Sequence, residues 1–110
     1  MWGRLFFILF FISSTVAAQT YKLDSLKKML PGLLDREHVD CLNALGEEYF
    51  FHFIHSDSAL KYTNLAFQKA SAIQYNIGQG VSLSIEAGVY GRVLRNPGLM
   101  EQKRKQAIAF

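Results

Sequence analysis

Residues 45–66, LGEEYFFHFIHSDSALKYTNLA, contain the pattern that decides the fold. Within this stretch Gly46 is followed by Ala59 and, seven positions later, by Ala66. A weaker copy farther along the chain places small or flexible residues at the matching positions, which are Gly88, Met100 and Ala107. Two copies of one small-residue pattern, spaced by about 41 residues, are typical of stacked α-helical hairpins.

The spacing of apolar residues predicts helices on both sides of these small residues. Apolar side chains recur at three- and four-residue steps, and no stretch alternates with the period of two that a strand requires. Because the turns between the segments are short, consecutive helices are expected to lie antiparallel. The predicted units are an N-terminal helix and turn at 19–34 and two helical hairpins at 35–110, with helices near 35–53, 58–73, 78–94 and 99–110. The chain ends within the last helix, so the second hairpin is predicted to be incomplete.

The N-terminus has the organisation of a secretory signal peptide. Arg4 precedes an unbroken apolar run at 5–12, and small residues follow up to Ala18. The run is shorter than the roughly 20 residues that span a bilayer. We therefore predict a signal peptide at 1–18, cleavage before Gln19, and a periplasmic or extracytoplasmic location. An uncleaved anchor is the alternative.

Charge and cysteine content exclude several classes of function. The formal charge of the chain is +3 and falls to +2 when Arg4 leaves with the signal peptide, which argues against a nucleic-acid partner. Cys41 is the only cysteine, so an exported disulfide framework is excluded. Contact with a membrane is expected only through a segment downstream of residue 110. No motif for a cofactor is present, and none is predicted.

The small residues have a physical role in this prediction. Glycine inside a helix costs about 0.5–1 kcal/mol relative to alanine, so its presence at Gly46 and Gly88 suggests that two helices approach closely there. Larger side chains at a crossing would hold the backbones apart. The predicted repeat-packing residues are Leu45, Gly46, Tyr49, Ala59, Ala66, Gly88 and Ala107.

The sequence Leu45-Gly46-x-x-Tyr49, followed by Ala59 and Ala66, resembles the tetratricopeptide repeat (TPR). The second unit departs from that family because Tyr90 stands one residue early and Met100 replaces an alanine. The spacing of the two copies is also longer than the repeat length usual in that family. The long period and the signal peptide resemble the exported N-terminal repeat regions of sensor histidine kinases and related transmembrane regulators of Bacteroidota.

This resemblance implies a TPR-like α-solenoid fragment that binds a peptide, a partner protein or a second copy of the chain, without catalysis. It would serve as the sensing or interaction region of a two-component signalling protein. The inner helices of the two hairpins would line a concave face, and the polar or aromatic candidates on that face are Asn43, Glu47, Ser84 and Tyr90. Aromatic residues surround one turn at 49–53, so some of them must pack against a neighbouring repeat or be exposed.

Two alternatives remain open from the sequence. Glu48, His52 and His55 stand at helical spacing and could bind zinc from adjacent turns, which would make the chain a small exported metal-binding domain. The other alternative is a structural four-helix bundle without repeat ancestry. A further idea pairs His38 with Cys41 as an activated thiol.

Overall fold

The structure is a computed structural model that describes residues 22–110, and this part of the chain is all-α, without a strand. This confirms the all-α part of the predicted fold class. The predicted signal peptide at 1–18 lies outside the described residues. Residues 22–29 form helix α1, which continues into a 3-10 turn at Leu30–Gly32. The remaining helices are α2 at Asp35–Phe51, α3 at Ser56–Ala72, α4 at Asn76–Gly88 with a π-helical turn at Val89–Val93, and α5 at Pro97–Ile108.

Helices α3, α4 and α5 each begin two residues earlier than predicted, and at two of them the capping residue explains why. The Nδ1 atom of His55 accepts a hydrogen bond from the amide of Ser58 at 3.2 Å, so α3 is capped by a histidine. The side chain of Asn96 accepts from the amide of Leu99 at 3.2 Å. Pro97 then occupies the first turn, where a helix needs no amide donor. Asn96 and Pro97 therefore begin α5.

Each helix packs against the next one along the chain, and α2 also packs against α4. At the N-terminal side, Leu23 of α1 is buried, and the thiol of Cys41 donates to the carbonyl of Leu26 at 3.4 Å. At the other side, α5 packs on α4 and on its π-helical turn. The described residues therefore form two hairpins, α2–α3 and α4–α5. The hairpins contact each other because α4 packs against both α2 and α3.

The core consists of two clusters with different roles. One cluster lies between α2 and α3 and holds the first hairpin together; its buried members are Val39, Leu42, Ala66 and Ala70. The other joins α2 and α3 to α4 and its π-helical turn; its buried members are Phe50, Ala59, Ile85 and Val89. The second cluster therefore attaches one hairpin to the other.

The three loops between α2 and α5 share one backbone geometry. In each, the residue two places before the next helix has a left-handed φ, although none of the three is glycine: Ile54 at 49°, Gln74 at 56° and Arg95 at 50°. The residue that follows has a φ between −95° and −110° and a ψ between 87° and 94°. The last two residues of each loop therefore have the same backbone conformation.

Hydrogen bonds in the two hairpin loops define which residues correspond. The amide of His55 donates to the carbonyl of Tyr49 at 2.9 Å, and the amide of Asn96 donates to the carbonyl of Tyr90 at 2.7 Å. The two bonds close loops of the same size, so His55 corresponds to Asn96 and Tyr49 corresponds to Tyr90. The corresponding residues in both pairs are 41 positions apart (96 − 55 and 90 − 49), so the residue that corresponds to Gly46 is Ala87.

The predicted packing role of Gly88 is corrected by this correspondence. A Cβ atom at Gly88 would lie 2.9 Å from the ring of Phe50, so Gly88 faces α2 rather than the α4–α5 crossing. The glycine that approaches α5 most closely is Gly91, which lies against the side chain of Met100. The π-helical turn bears on Gly91 only, because its wider winding changes which of the residues after Gly88 face α5.

Candidate binding groove

An open groove of about 440 Å³ runs over α2 and α4 and is closed at one end by the C-terminal part of α5. This volume lies within the range of about 300–1,000 Å³ typical of ligand sites. The walls are mainly apolar and include Phe50, Phe51, Ile77, Val81, Ile85 and Phe110. Phe51 is 53% exposed and Ile77 is 69% exposed, although both are large apolar residues. Adjacent exposed apolar side chains of this kind mark an interaction surface.

Helical spacing places these side chains on one surface. On α4, Ile77, Val81 and Ser84 stand at i, i+4 and i+7, and all three are exposed. On α2, Glu47 and Phe51 stand at i and i+4. Residues at these intervals share a helix face. Since α2 packs against α4, the two rows together form the walls of the groove.

Two of the four predicted concave-face residues lie in the groove. Glu47 and Ser84 line it and are exposed. Glu47 is the only charged residue among the described residues that line the groove. Tyr90 is half-buried in the π-helical turn and is not among the lining residues. Its predicted place assumed a regular α-helix, whereas the π-helical turn changes the direction of the side chains that follow Gly88.

Asn43 is the other predicted residue that does not line the groove, because it bridges α2 and α4. It is 4% exposed, and its Nδ2 atom donates to the carbonyl of Gly78 at 3.1 Å. Its Oδ1 atom accepts from the hydroxyl of Ser82 at 2.8 Å. A buried amide with both ends bonded stabilises the contact between the hairpins and is not available to a ligand.

Sequence reasoning did not select Phe51, Ile77 and Val81, because their spacing is the same as that of core residues. The crowding of aromatic residues at 49–53 was the one available signal. A single helix face cannot bury all of them, and Phe51 is one of those left in solvent. Nothing in the pattern of α4 distinguishes the exposed Val81 from the buried Ile85.

The proposed metal ligands do not converge. The Oε2 atom of Glu48 contacts Nδ1 of His52 at 2.6 Å, and its Oε1 atom accepts from Nζ of Lys22 at 2.8 Å. His55 instead caps α3. Within residues 22–110, no group of three histidine, cysteine, aspartate or glutamate residues is placed to hold a metal ion. Glu48, His52 and His55 are therefore not brought together on one helix face, since α2 ends at Phe51.

The environment of Glu48 favours its charged form. Burial by itself would raise the pKa of this carboxyl, but hydrogen bonds from Lys22 and His52, together with their charges, lower it below its ordinary value. Glu48 is 5% exposed, and Lys22 belongs to α1. The ion pair between Lys22 and Glu48 therefore stabilises the packing of α1 on α2.

Glu48→Gln is expected to lower the free energy of unfolding at neutral pH by about 1 kcal/mol, because it removes the negative charge that accepts hydrogen bonds from Lys22 and His52. The effect is modest because both donor side chains are partly exposed. Folding lowers the pKa of Glu48, so its ionised carboxylate contributes fully to the free energy of unfolding above the ordinary glutamate pKa of about 4.3. This contribution is lost as the pH falls through the lowered pKa of the folded protein. The difference from wild type should therefore shrink on acidification below about pH 4.3. Urea unfolding at several pH values measures this, with the exposed Glu37→Gln as control. A pH-independent difference would contradict it.

The idea of an activated thiol is also corrected. The Nδ1 atom of His38 lies 3.2 Å from the carbonyl of Leu33 and 3.2 Å from Nζ of Lys69, and neither contact involves Cys41. Burial raises the pKa of the Cys41 thiol, which disfavours the reactive thiolate. Cys41 is a buried side chain that packs between α1 and α2.

Comparisons of the chain with protein-family models, with curated proteins and with solved structures found no match. Within residues 22–110, no helix combines the length and the apolar character needed to cross a membrane. The class that the described residues define is an all-α protein of packed helical hairpins with an open apolar groove.

Proposed function

We propose that this chain is a non-catalytic, TPR-like helical scaffold that binds a segment of a protein or peptide in the groove over α2 and α4. The observation that carries the proposal is the groove itself, where Phe51, Ile77 and Val81 remain exposed on one continuous surface. Such a surface gains free energy when a partner removes it from water, at about 25 cal/mol per Å² of apolar area.

The arrangement of the helices supports the repeat part of the proposal. In stacked hairpins, the first helix of one unit packs beside the first helix of the next, as α2 does with α4. The loop bonds that end at His55 and Asn96 join equivalent positions of the two units. A four-helix bundle without a repeat would not require the same loop bond in both hairpins.

The chemistry of the groove favours a particular kind of segment. Apolar side chains of the partner would fill the space between Phe51, Ile77 and Val81. A lysine or arginine beside them would pair with Glu47, the charged residue of the lining. We therefore propose a segment with two or more apolar anchors and an adjacent basic residue.

The location of the protein is part of the same proposal. The signal-like residues at 1–18 and the resemblance to exported repeat regions support a scaffold on the extracytoplasmic side of a bacterial inner membrane, as the sensing or interaction region of a signalling protein. Mass spectrometry of the exported protein should find Gln19 at the N-terminus. A protein that retains residues 5–12 would contradict cleavage.

The groove can be tested by selecting peptides from a random library against the purified protein and measuring their affinity for matched variants. Val81→Asp introduces a charge into the groove and is expected to weaken binding at least 10-fold, because a buried unpaired charge at an anchor site is costly. Leu65→Asp makes the same change on α3, at a residue of similar exposure outside the groove, and should alter affinity less than 2-fold. Equal effects of the two variants, or no selected binder, would overturn the proposed function.

A further inference from the structure

A second site is indicated by a buried carboxylate on α4. Glu86 is 2% exposed, and its Oε2 atom lies 3.2 Å from Nζ of Lys103 on α5. Its Oε1 atom is buried and has no hydrogen-bond partner within residues 22–110. A buried acceptor left without a donor destabilises the folded protein, and more so when it is charged. The structure thus contains a strong acceptor that nothing in the described chain satisfies.

Glu86 lines an open cavity of about 470 Å³ between α3, α4 and α5, and its Oε1 atom becomes accessible to a ligand when the side chains around it move. Lys103 and Gln106 of α5 contribute an ammonium and an amide to the lining, and Asn64 of α3 contributes a second amide. The cavity differs from the groove over α2 and α4, although Phe110 borders both. It is large enough for a small molecule, and half of its lining residues are polar and half are apolar.

The charges in the cavity restrict the ligand that it would accept. Oε1 of Glu86 requires a hydrogen-bond donor, and the ammonium of Lys103 can donate further bonds, because its contact with Glu86 uses one of three. A ligand with a positive charge alone would add a second cation beside Lys103. A ligand with a negative charge alone would leave Oε1 without a donor. A zwitterion satisfies both groups and keeps the cavity neutral.

Two aromatic rings supply the apolar part of the site. Phe67 and Phe110 both line the cavity and are arranged edge to face, with ring centroids 6.2 Å apart. Leu83 adds an aliphatic side chain to the same wall. An apolar substituent of the ligand would bury its surface against these residues.

We propose that this cavity binds a small zwitterion of the α-amino acid type that carries an apolar side chain. The ammonium of the ligand donates to Oε1 of Glu86, its carboxylate accepts from Lys103, and its side chain packs against Phe67 and Phe110. This inference does not depend on peptide binding in the groove, because the two sites differ in their principal walls and in their chemistry.

The test is titration calorimetry of the whole protein with L-leucine and two blocked forms of it. N-acetyl-L-leucine lacks the ammonium and L-leucinamide lacks the carboxylate. We expect L-leucine to bind and each blocked form to bind at least 10-fold more weakly. Stronger binding of L-leucinamide would show a cation site, and no binding of L-leucine, L-methionine or L-phenylalanine would show no amino acid site; either result overturns the proposal.

Variants locate the site. Glu86→Gln should weaken L-leucine binding at least 10-fold, whereas Glu101→Gln, on the surface residue that pairs with Arg104, should leave it unchanged. Phe110→Ala is a second variant that tests the site even if Glu86→Gln fails to fold. It is expected to fold, because Phe110 is 50% exposed and does not belong to the core. It should weaken binding several-fold. Unchanged affinity in Phe110→Ala, or equal losses in Glu86→Gln and Glu101→Gln, would contradict the assignment.

Discussion

Gly46→Ala is expected to lower the free energy of unfolding by about 1–3 kcal/mol, the usual cost of overpacking a core. The added Cβ atom would lie 2.6 Å from Cγ2 of Thr63 and 3.3 Å from the carbonyl oxygen of Ala59, both on α3. Thr63 is fully buried and β-branched, so its methyl group cannot turn away easily. The effect is expected even though alanine is favoured over glycine by about 1 kcal/mol inside an exposed helix.

Two further variants make this prediction specific to the crossing of α2 and α3. Thr63→Ser removes the clashing methyl group and keeps the hydroxyl that donates to Ala59 and Leu60, so Gly46→Ala should cost less in that background. Gly32→Ala is the control, because a Cβ atom there would meet nothing within 4 Å. Urea unfolding measures each of these proteins. If Gly46→Ala matches Gly32→Ala, or Thr63→Ser gives no relief, the helices do not approach as described.

Asn43→Ala is expected to destabilise the protein by about 2–3 kcal/mol, because it removes two buried hydrogen bonds and leaves a small cavity between the hairpins. In this variant the single proton of the Ser82 hydroxyl, released from Oδ1 of Asn43, can be donated to the carbonyl of Gly78. The variant should therefore weaken mainly the contact between α2 and α4. The backbone amides of the second hairpin should then exchange their hydrogens faster than in the wild type.

The control for this variant is Gln102→Ala, which shortens an exposed amide side chain on α5. We expect it to change the free energy of unfolding by less than about 0.5 kcal/mol. Selected groove peptides provide a second measurement, since Asn43 does not contact the groove. A variant of normal stability that loses only peptide affinity would show that Asn43 is a ligand contact and that its bridging role is wrong.

The sequence predicts the helices well because apolar periodicity and small residues depend on local spacing. It places three helix starts too late, and for α3 and α5 the reason is that His55 and Asn96 cap the helix with side chains that cannot be distinguished from loop residues by type alone. The left-handed φ of Ile54 is likewise unexpected, since a β-branched residue seldom adopts it. These features depend on how the helices meet rather than on local preference.

The site is harder to predict, because polarity in a sequence does not reveal burial. Asn43 and Glu86 are both polar, and both are buried against a neighbouring helix. Val81 is apolar and yet exposed in the groove. The close approach of Gly91 to α5 also depends on the π-helical turn. Tertiary contacts alone decide each of these cases.

The central claim is that a peptide segment binds in the groove over α2 and α4. The most direct test is to add the strongest selected peptide to ¹⁵N-labelled protein and to map the amide chemical-shift changes. The account predicts that the largest saturable changes occur at Phe51, Ile77, Val81 and Ser84. Changes centred instead on the surface of α3 around Leu65, or spread over the chain without saturation, would contradict it.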